Sequence, residues 1–171
     1  MSEQSSEPQT PERTESLERV QAFLDAHGTG LRVFPLGGKG ATVQEAAGAL
    51  GIEPGQIAKT LALRAGDHRF ILVTRGDSRL DNHKFRDRFA AKAHMLPAEE
   101  AEELTGQPVG GMGPFGHPGH VDVYCDESLR DYDVVFPAAG SPYYGVRVAP
   151  GQIAELTGAT WVDVTRRLST E

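Results

Sequence analysis

One cysteine, Cys125, is present among 171 residues, so no intramolecular disulfide can staple this chain. Such cysteine usage suits a reducing compartment. No run of about 18 apolar residues occurs, the length a helix needs to cross a bilayer. The first stretch, "MSEQSSEPQTPERTES", is polar and acidic and lacks a basic region followed by an apolar one. The expectation is a cytoplasmic protein with neither a signal peptide nor a membrane span. Positive charge is also scarce: 17 Lys and Arg stand against 24 Asp and Glu, a net charge of −7. That balance argues against a sequence-independent polyanion binder, whose affinity rests on many phosphate contacts.

What is present is a compact, turn-rich composition, with 39% hydrophobic residues, 20 Gly and 11 Pro. The length is that of one domain with a substantial core. Charge is unevenly spread. From Arg64 to His94, eight Lys or Arg face four Asp, so this segment carries +4 and the remainder −11. Such a segment is either a solvated face or a local patch for a nucleic-acid end.

Residues 1–14 read as a disordered tail, because Ser, Glu, Gln, Pro and Thr bury too little to offset ordering. "SLERVQAFLDAHG" places Leu17, Val20, Phe23 and Leu24 on one helical face. "TVQEAAGALG" is a second helix, with Thr42 and Glu45 at capping-box spacing and Gly51 as its stop. "PLGGKGAT" between them is a turn, since it lacks full phosphate-loop spacing. "KTLALR" and "HRFILVTRG" predict two strands joined at Ala65-Gly66-Asp67. "DNHKFRDRFA" is a short basic helix, "AKAHML" a strand and "PAEEAEELTG" an acidic helix. "VDVYCD", "DVVFPAAG" and "YGVRVAP" are further strands, "PGQIAELTG" a last helix and "TWVDVT" a closing strand. Strands without regular helical crossovers favour a mixed sheet over a doubly wound parallel one.

"GMGPFG" (Gly111 to Gly116) matches GxGxxG letter for letter. A dinucleotide site needs a strand before that motif and a helix after it, whereas a charged helix precedes it here and "HPGH" follows. The loop offers backbone instead: glycines free to take positive φ, Pro114 as a stiffener, and amides able to hold a polarised carbonyl. His117 and His120 are separated by Pro118 and Gly119, which prevents a helix that would aim them at one metal. Cys125 and Ser141 lack an identifiable base for nucleophilic work.

Lys59 is one of only four lysines and sits within "GQIAKTLALR", among residues that favour burial. A lysine so placed snorkels to water, pairs with an acid, or is held in a pocket for chemistry.

Four stretches, taken in order, resemble the YbaK/EbsC family of trans-editing aminoacyl-tRNA deacylases, which is related to the editing domain of bacterial prolyl-tRNA synthetases. They are "IAKTL", "GDSRLDNHKF", "TGQPVGGMGPFG" with GxxxP as Gly110 to Pro114, and "PAAGSP" before a strand. The resemblance runs from about Ser16 to Thr165. It implies a single α/β domain (15–171) of α+β-like character, with a mixed, partly barrel-like sheet and packed helices. It implies that Lys59 is the catalytic residue, and that Thr60, Gly110, Gly111, Met112, Gly113, Pro114 and Gly140 bind substrate. It implies hydrolysis of the ester of mischarged tRNA, with tRNA-Pro carrying Ala, Cys, Ser or Thr as the expected substrate. No metal or organic cofactor is expected.

The expected partners are the tRNA acceptor end and an aminoacyl-tRNA synthetase, not a membrane or DNA. Within the +4 segment, Arg79 and Lys84 are candidate tRNA contacts. Ala138 and Ala139 stand where some relatives carry a serine, so no serine-assisted route carries over. Two other readings remain open: a catalytically weak tRNA-end or synthetase-associated binding module, and a small-molecule esterase, which would need no basic patch.

Overall fold

The computed structural model describes residues 13–37 and 42–167. The tail expectation therefore lies almost wholly outside the described residues, as do residues 38–41 of the "PLGGKGAT" turn. In chain order the elements are α1 (Glu15–Ala26), β1 (Phe34–Pro35), α2 (Val43–Leu50), β2 (Ile57–Ala65), β3 (His68–Arg75), β4 (Ser78–Leu80), α3 (Asn82–Phe89) and β5 (Ala93–Met95). There follow α4 (Ala98–Thr105), β6 (Val123–Asp126), β7 (Phe136–Pro137), β8 (Tyr144–Gly145), α5 (Pro150–Thr157), β9 (Thr160–Val162) and β10 (Thr165–Arg167).

Helix boundaries follow local chemistry. Thr42 accepts the Glu45 amide at 3.2 Å and Gly51 ends α2 at φ +68°. Asp81 accepts the His83 and Lys84 amides at the start of α3, both at 3.0 Å. The main sheet runs β5-β2-β3-β6-β9, with β7 also beside β2. β2 and β3 form an antiparallel hairpin; β6 lies parallel to β3, β9 parallel to β6 and β7 parallel to β2. The sheet is thus mixed, and among the described residues it does not close into a barrel.

Alternation along the hairpin sends side chains to two cores. Ala58, Ala62, Ile71 and Val73 pack with Leu17, Val20 and Leu24 of α1 and Ile153 of α5. Leu63, Phe70 and Leu72 face the other way, onto Phe85 of α3. Truncating a ring as buried as Phe70 costs about 3–5 kcal/mol. A third, smaller cluster packs Ala46 and Ala47 of α2 onto Ile57 at the start of β2, beside Leu36. This cluster leaves α2 over the entry end of the strand that carries Lys59.

Two expected strands shrink. "DVVFPAAG" and "YGVRVAP" retain two paired residues each, plus bridges at Val135↔Val148 and Ala138↔Gly145. Pro137 has no amide to donate and Gly140 turns the chain at φ +80°, so the ladder cannot extend. β1, β4 and β10 were not evident from their residues, being three residues or fewer. Among the described residues, no helix is long and apolar enough to cross a membrane.

Candidate functional site

A cavity of about 150 Å³ opens at the start of β2, between α2, the glycine-rich loop and the turn before β8. Its apolar walls are Leu36, Val43, Ala46, Ile57, Phe136 and Pro142. Thr42, Lys59, Thr60, Gly110, Met112 and Ala138 also line it.

Lys59 is half-buried, and its Nζ donates to the Ser78 carbonyl at 2.5 Å. Burial pushes its pKa below the usual lysine value; the nearby Asp77 carboxylate opposes that and Arg79 adds to it. The lysine therefore does not simply snorkel. Beside it, Thr60 is 9% exposed, and its Oγ1 is buried with no hydrogen-bond partner among the described residues. An unsatisfied buried hydroxyl costs about 1–3 kcal/mol.

The glycine-rich loop is shaped by Gln107, which is 2% exposed. Its Nε2 donates to the Phe115 carbonyl at 2.7 Å, and its Oε1 accepts the Gly113 amide at 2.8 Å. One buried side chain thus satisfies two loop groups at once. His117 Nε2 lies 2.9 Å from the Gly113 carbonyl, and the Gly111 amide donates to Pro108 at 2.9 Å. Gly110 adopts φ +92°, a conformation that favours glycine. Among the described residues, the amides of Gly110 and Met112, both lining the cavity, have no partner. A cation and a glycine-rich loop with unpartnered amides beside a small apolar space suit an acyl group with a polarised carbonyl.

Of the expected site residues, the fold brings Lys59, Thr60, Gly110 and Met112 together. The others stand outside the cavity lining, for definite reasons. A Cβ on Gly113 would collide with the Ala138 carbonyl oxygen, and one on Gly111 would lie 2.6 Å from the Ser141 carbonyl carbon. These two glycines let the loop meet the opposing turn backbone to backbone. Gly140 packs against α1, where Ser16 Oγ donates to its carbonyl at 2.6 Å. Pro114 lines a separate depression with Phe23 and His117. Arg79 is exposed on β4, and its charge is felt at Lys59. Lys84 instead donates to Asp163 and to the Thr165 carbonyl, both at 3.0 Å.

Sequence reasoning missed Ser78, Asp77 and Gln107. It also missed the apolar wall from α2, although the small residues of "QEAAGAL" hinted at a close-packed helix face. The metal and nucleophile readings find no support in the geometry. Among the described residues no cluster of three ligands exists. His117 turns to Gly113, while His120 turns to Asp122 at 2.8 Å. Burial pushes the Cys125 thiol up to about 12, which leaves it inert. Ser141 is buried, and its Oγ accepts the Tyr143 amide at 3.2 Å.

Known proteins resemble this chain in sequence and in fold. Residues 38–156 match the family model described as the aminoacyl-tRNA editing domain. The uncharacterized protein YwhH of Bacillus subtilis is 39% identical over 128 residues, covering 74% of this chain and 82% of its own length. EbsC of Enterococcus faecalis, named as a candidate Cys-tRNA(Pro)/Cys-tRNA(Cys) deacylase, is 29% identical over 129 residues, 74% of this chain and 78% of that one. A proline–tRNA ligase from Bacillus licheniformis is 34% identical over 91 residues, 52% of this chain but 16% of the ligase. A crystal structure described as that of a candidate trans-editing enzyme for prolyl tRNA synthetase superposes with TM-score 0.82 at 35% identity, covering 90% of this chain and 98% of that one. With the editing-domain match spanning most of its length, the chain belongs to the aminoacyl-tRNA editing domain family, the family of the YbaK/EbsC-type proteins.

Proposed function

We propose that the protein hydrolyses, in trans, the ester of tRNA-Pro mischarged with a small amino acid such as Ala, Cys, Ser or Thr. The observation that carries this reading is one small cavity lined together by half-buried Lys59 and by Gly110 and Met112 of the glycine-rich loop, whose amides have no partner among the described residues. The aminoacyl ester is already activated, so the protein's task is to position it and to stabilise charge. As water adds to the carbonyl carbon, negative charge grows on the carbonyl oxygen, and the bond to the terminal ribose oxygen then breaks. Loop amides and a desolvated ammonium stabilise that charge more strongly than bulk water does, because the dielectric is low and the donors are already placed. The apolar walls limit the space for the side chain, which is the logic of a second sieve. Ala138 lines the cavity and brings no hydroxyl, so no serine-assisted route runs through this position. A substrate that enters by its acceptor end alone reconciles an RNA ligand with a net charge of −7.

The test is amino-acid release from a panel of tRNA-Pro charged with Ala, Cys, Ser, Thr or Pro, with simple amino-acid esters run in parallel. Release from one or more mischarged species, with Pro-tRNA-Pro spared, is the expected result. Binding without release on every tRNA would make this a tRNA-end module. Cleavage of simple esters as fast as tRNA esters would make it a small-molecule esterase.

A further inference from the structure

Lys59 is aimed by a backbone group, the Ser78 carbonyl. Three features set where that carbonyl sits. Ser78 Oγ donates to the Arg75 carbonyl at 2.8 Å, which closes the turn between β3 and β4. The Arg75 guanidinium grips both oxygens of Asp77, Nε to Oδ1 at 2.5 Å and Nη2 to Oδ2 at 3.0 Å. Gly76 lies so close to the Ile57 and Pro54 carbonyls that no side chain fits there.

Arg75 is anchored in turn. Its Nη1 donates to Asp131 at 2.8 Å, and its guanidinium lies 5.1 Å from the centre of the Tyr132 ring. The Tyr132 hydroxyl donates to Glu53 at 2.8 Å, on the turn that leads into β2. Asp131 also receives Arg167 of β10, the strand paired with β4. The contacts thus run from the root of the strand carrying Lys59 back to the carbonyl that holds its ammonium. The Arg75 and Asp77 side chains are only 20% and 29% exposed, so solvent screens this pair less than a surface pair. The charged groups acting on the ammonium are Asp77, which attracts it, and Arg79, which repels it.

We propose that Asp77 is a positioning residue for the reaction: paired with Arg75, it fixes the β3–β4 turn so that the Ser78 carbonyl orients the Lys59 ammonium. The kinetic consequence rests on the deacylase reading; the structural one does not.

The experiment has an arm for each. With four lysines in the chain, selective ¹³C labelling gives four Cε signals, and the one lost in Lys59→Arg identifies Lys59. In Asp77→Asn the Lys59 signal titrates at lower pH than in the wild type, and Asp77→Glu restores it toward the wild-type midpoint. On mischarged tRNA, kcat of Asp77→Asn falls about tenfold or more with KM within about twofold, since a misplacement of about 1 Å can cost about 10²-fold. The alkaline limb of kcat moves down together with the Lys59 midpoint. A folded Asp77→Asn whose Lys59 titration and kcat both match the wild type overturns the proposal. Should Asp77→Asn fail to fold, Arg75→Lys, which keeps the cation but loses the two-point grip, is read in the same way. A wild-type protein inert toward every mischarged tRNA removes the deacylase reading, while the Lys59 titration still decides the positioning role.

Discussion

Burial takes water from the Lys59 ammonium, and the protein returns one neutral acceptor, the Ser78 carbonyl. The pKa in the folded state is therefore below the unfolded value of 10.5, with desolvation as the main cause. The charged form is disfavoured by folding, so stability at neutral pH is lowered by this group and recovers as pH rises from the folded pKa toward the unfolded one. Lys59→Met should leave the thermal midpoint at or above that of the wild type. It should cut kcat about 10² to 10³-fold, as loss of one oxyanion-stabilising contact does. A midpoint several degrees lower, or activity within threefold of wild type, contradicts this account. Thr60 carries a folding cost of the same kind. Thr60→Val keeps the shape and removes a hydroxyl without a partner among the described residues. Thermal melts should show a gain of about 1 kcal/mol. A loss of stability would mean the hydroxyl is already satisfied.

At the scale of elements, the glycine-rich loop depends on groups that flank it. Gln107→Leu would strand the Gly113 amide and the Phe115 carbonyl in a buried place. Two unsatisfied buried groups cost about 2–6 kcal/mol, so chemical denaturation should show a large drop in midpoint, and the remaining folded protein should be poorly active. His117, below the same loop, is pushed below the usual histidine pKa by burial, against the Gly113 carbonyl, which favours its charged form. Both states are neutral above about pH 6.5. Below that the unfolded chain binds a proton that the folded loop resists, so stability falls as pH drops from 6.5 to the folded pKa. His117→Asn should lose less stability between pH 7.5 and 5.5 than the wild type; an equal loss assigns the acid sensitivity elsewhere. The loop's importance was legible from "GGMGPFG", and the caps at Thr42 and Gly51 from spacing alone. The division of labour among the glycines was not. Gly110 reaches the cavity, whereas Gly111 and Gly113 serve backbone packing against Ser141 and Ala138, far along the chain, which no local pattern encodes.

Across the whole molecule, helices and the β2–β3 hairpin were legible because their hydrophobic periods are long and regular. The two- and three-residue strands that close the site exist only through tertiary partners. Charge follows the same rule. The excess of Lys and Arg from Arg64 to His94 is visible in sequence, yet the fold divides it between neutralised and free cations. Lys84 is spent on Asp163 and the Thr165 carbonyl, tying α3 to the chain between β9 and β10. Arg75 is spent on Asp77 and Asp131. Arg79 is exposed, makes no ion pair among the described residues, and lies near enough to Lys59 to act on its charge. On the proposed deacylase reading, it is a candidate to meet a phosphate of the tRNA substrate. Arg79→Glu should therefore raise KM for mischarged tRNA about tenfold and leave kcat at saturation unchanged, because such a contact supplies uniform binding. The wild-type KM should rise with salt on a shallow slope, since few phosphates are met, and the variant should lose part of that dependence. Lys84→Glu should instead lower the thermal midpoint and spare KM. Steady-state kinetics of the two single variants at two salt concentrations separate these roles. Equal KM for Arg79→Glu and wild type at both concentrations would leave the β4 side as solvated surface and place the tRNA on another face.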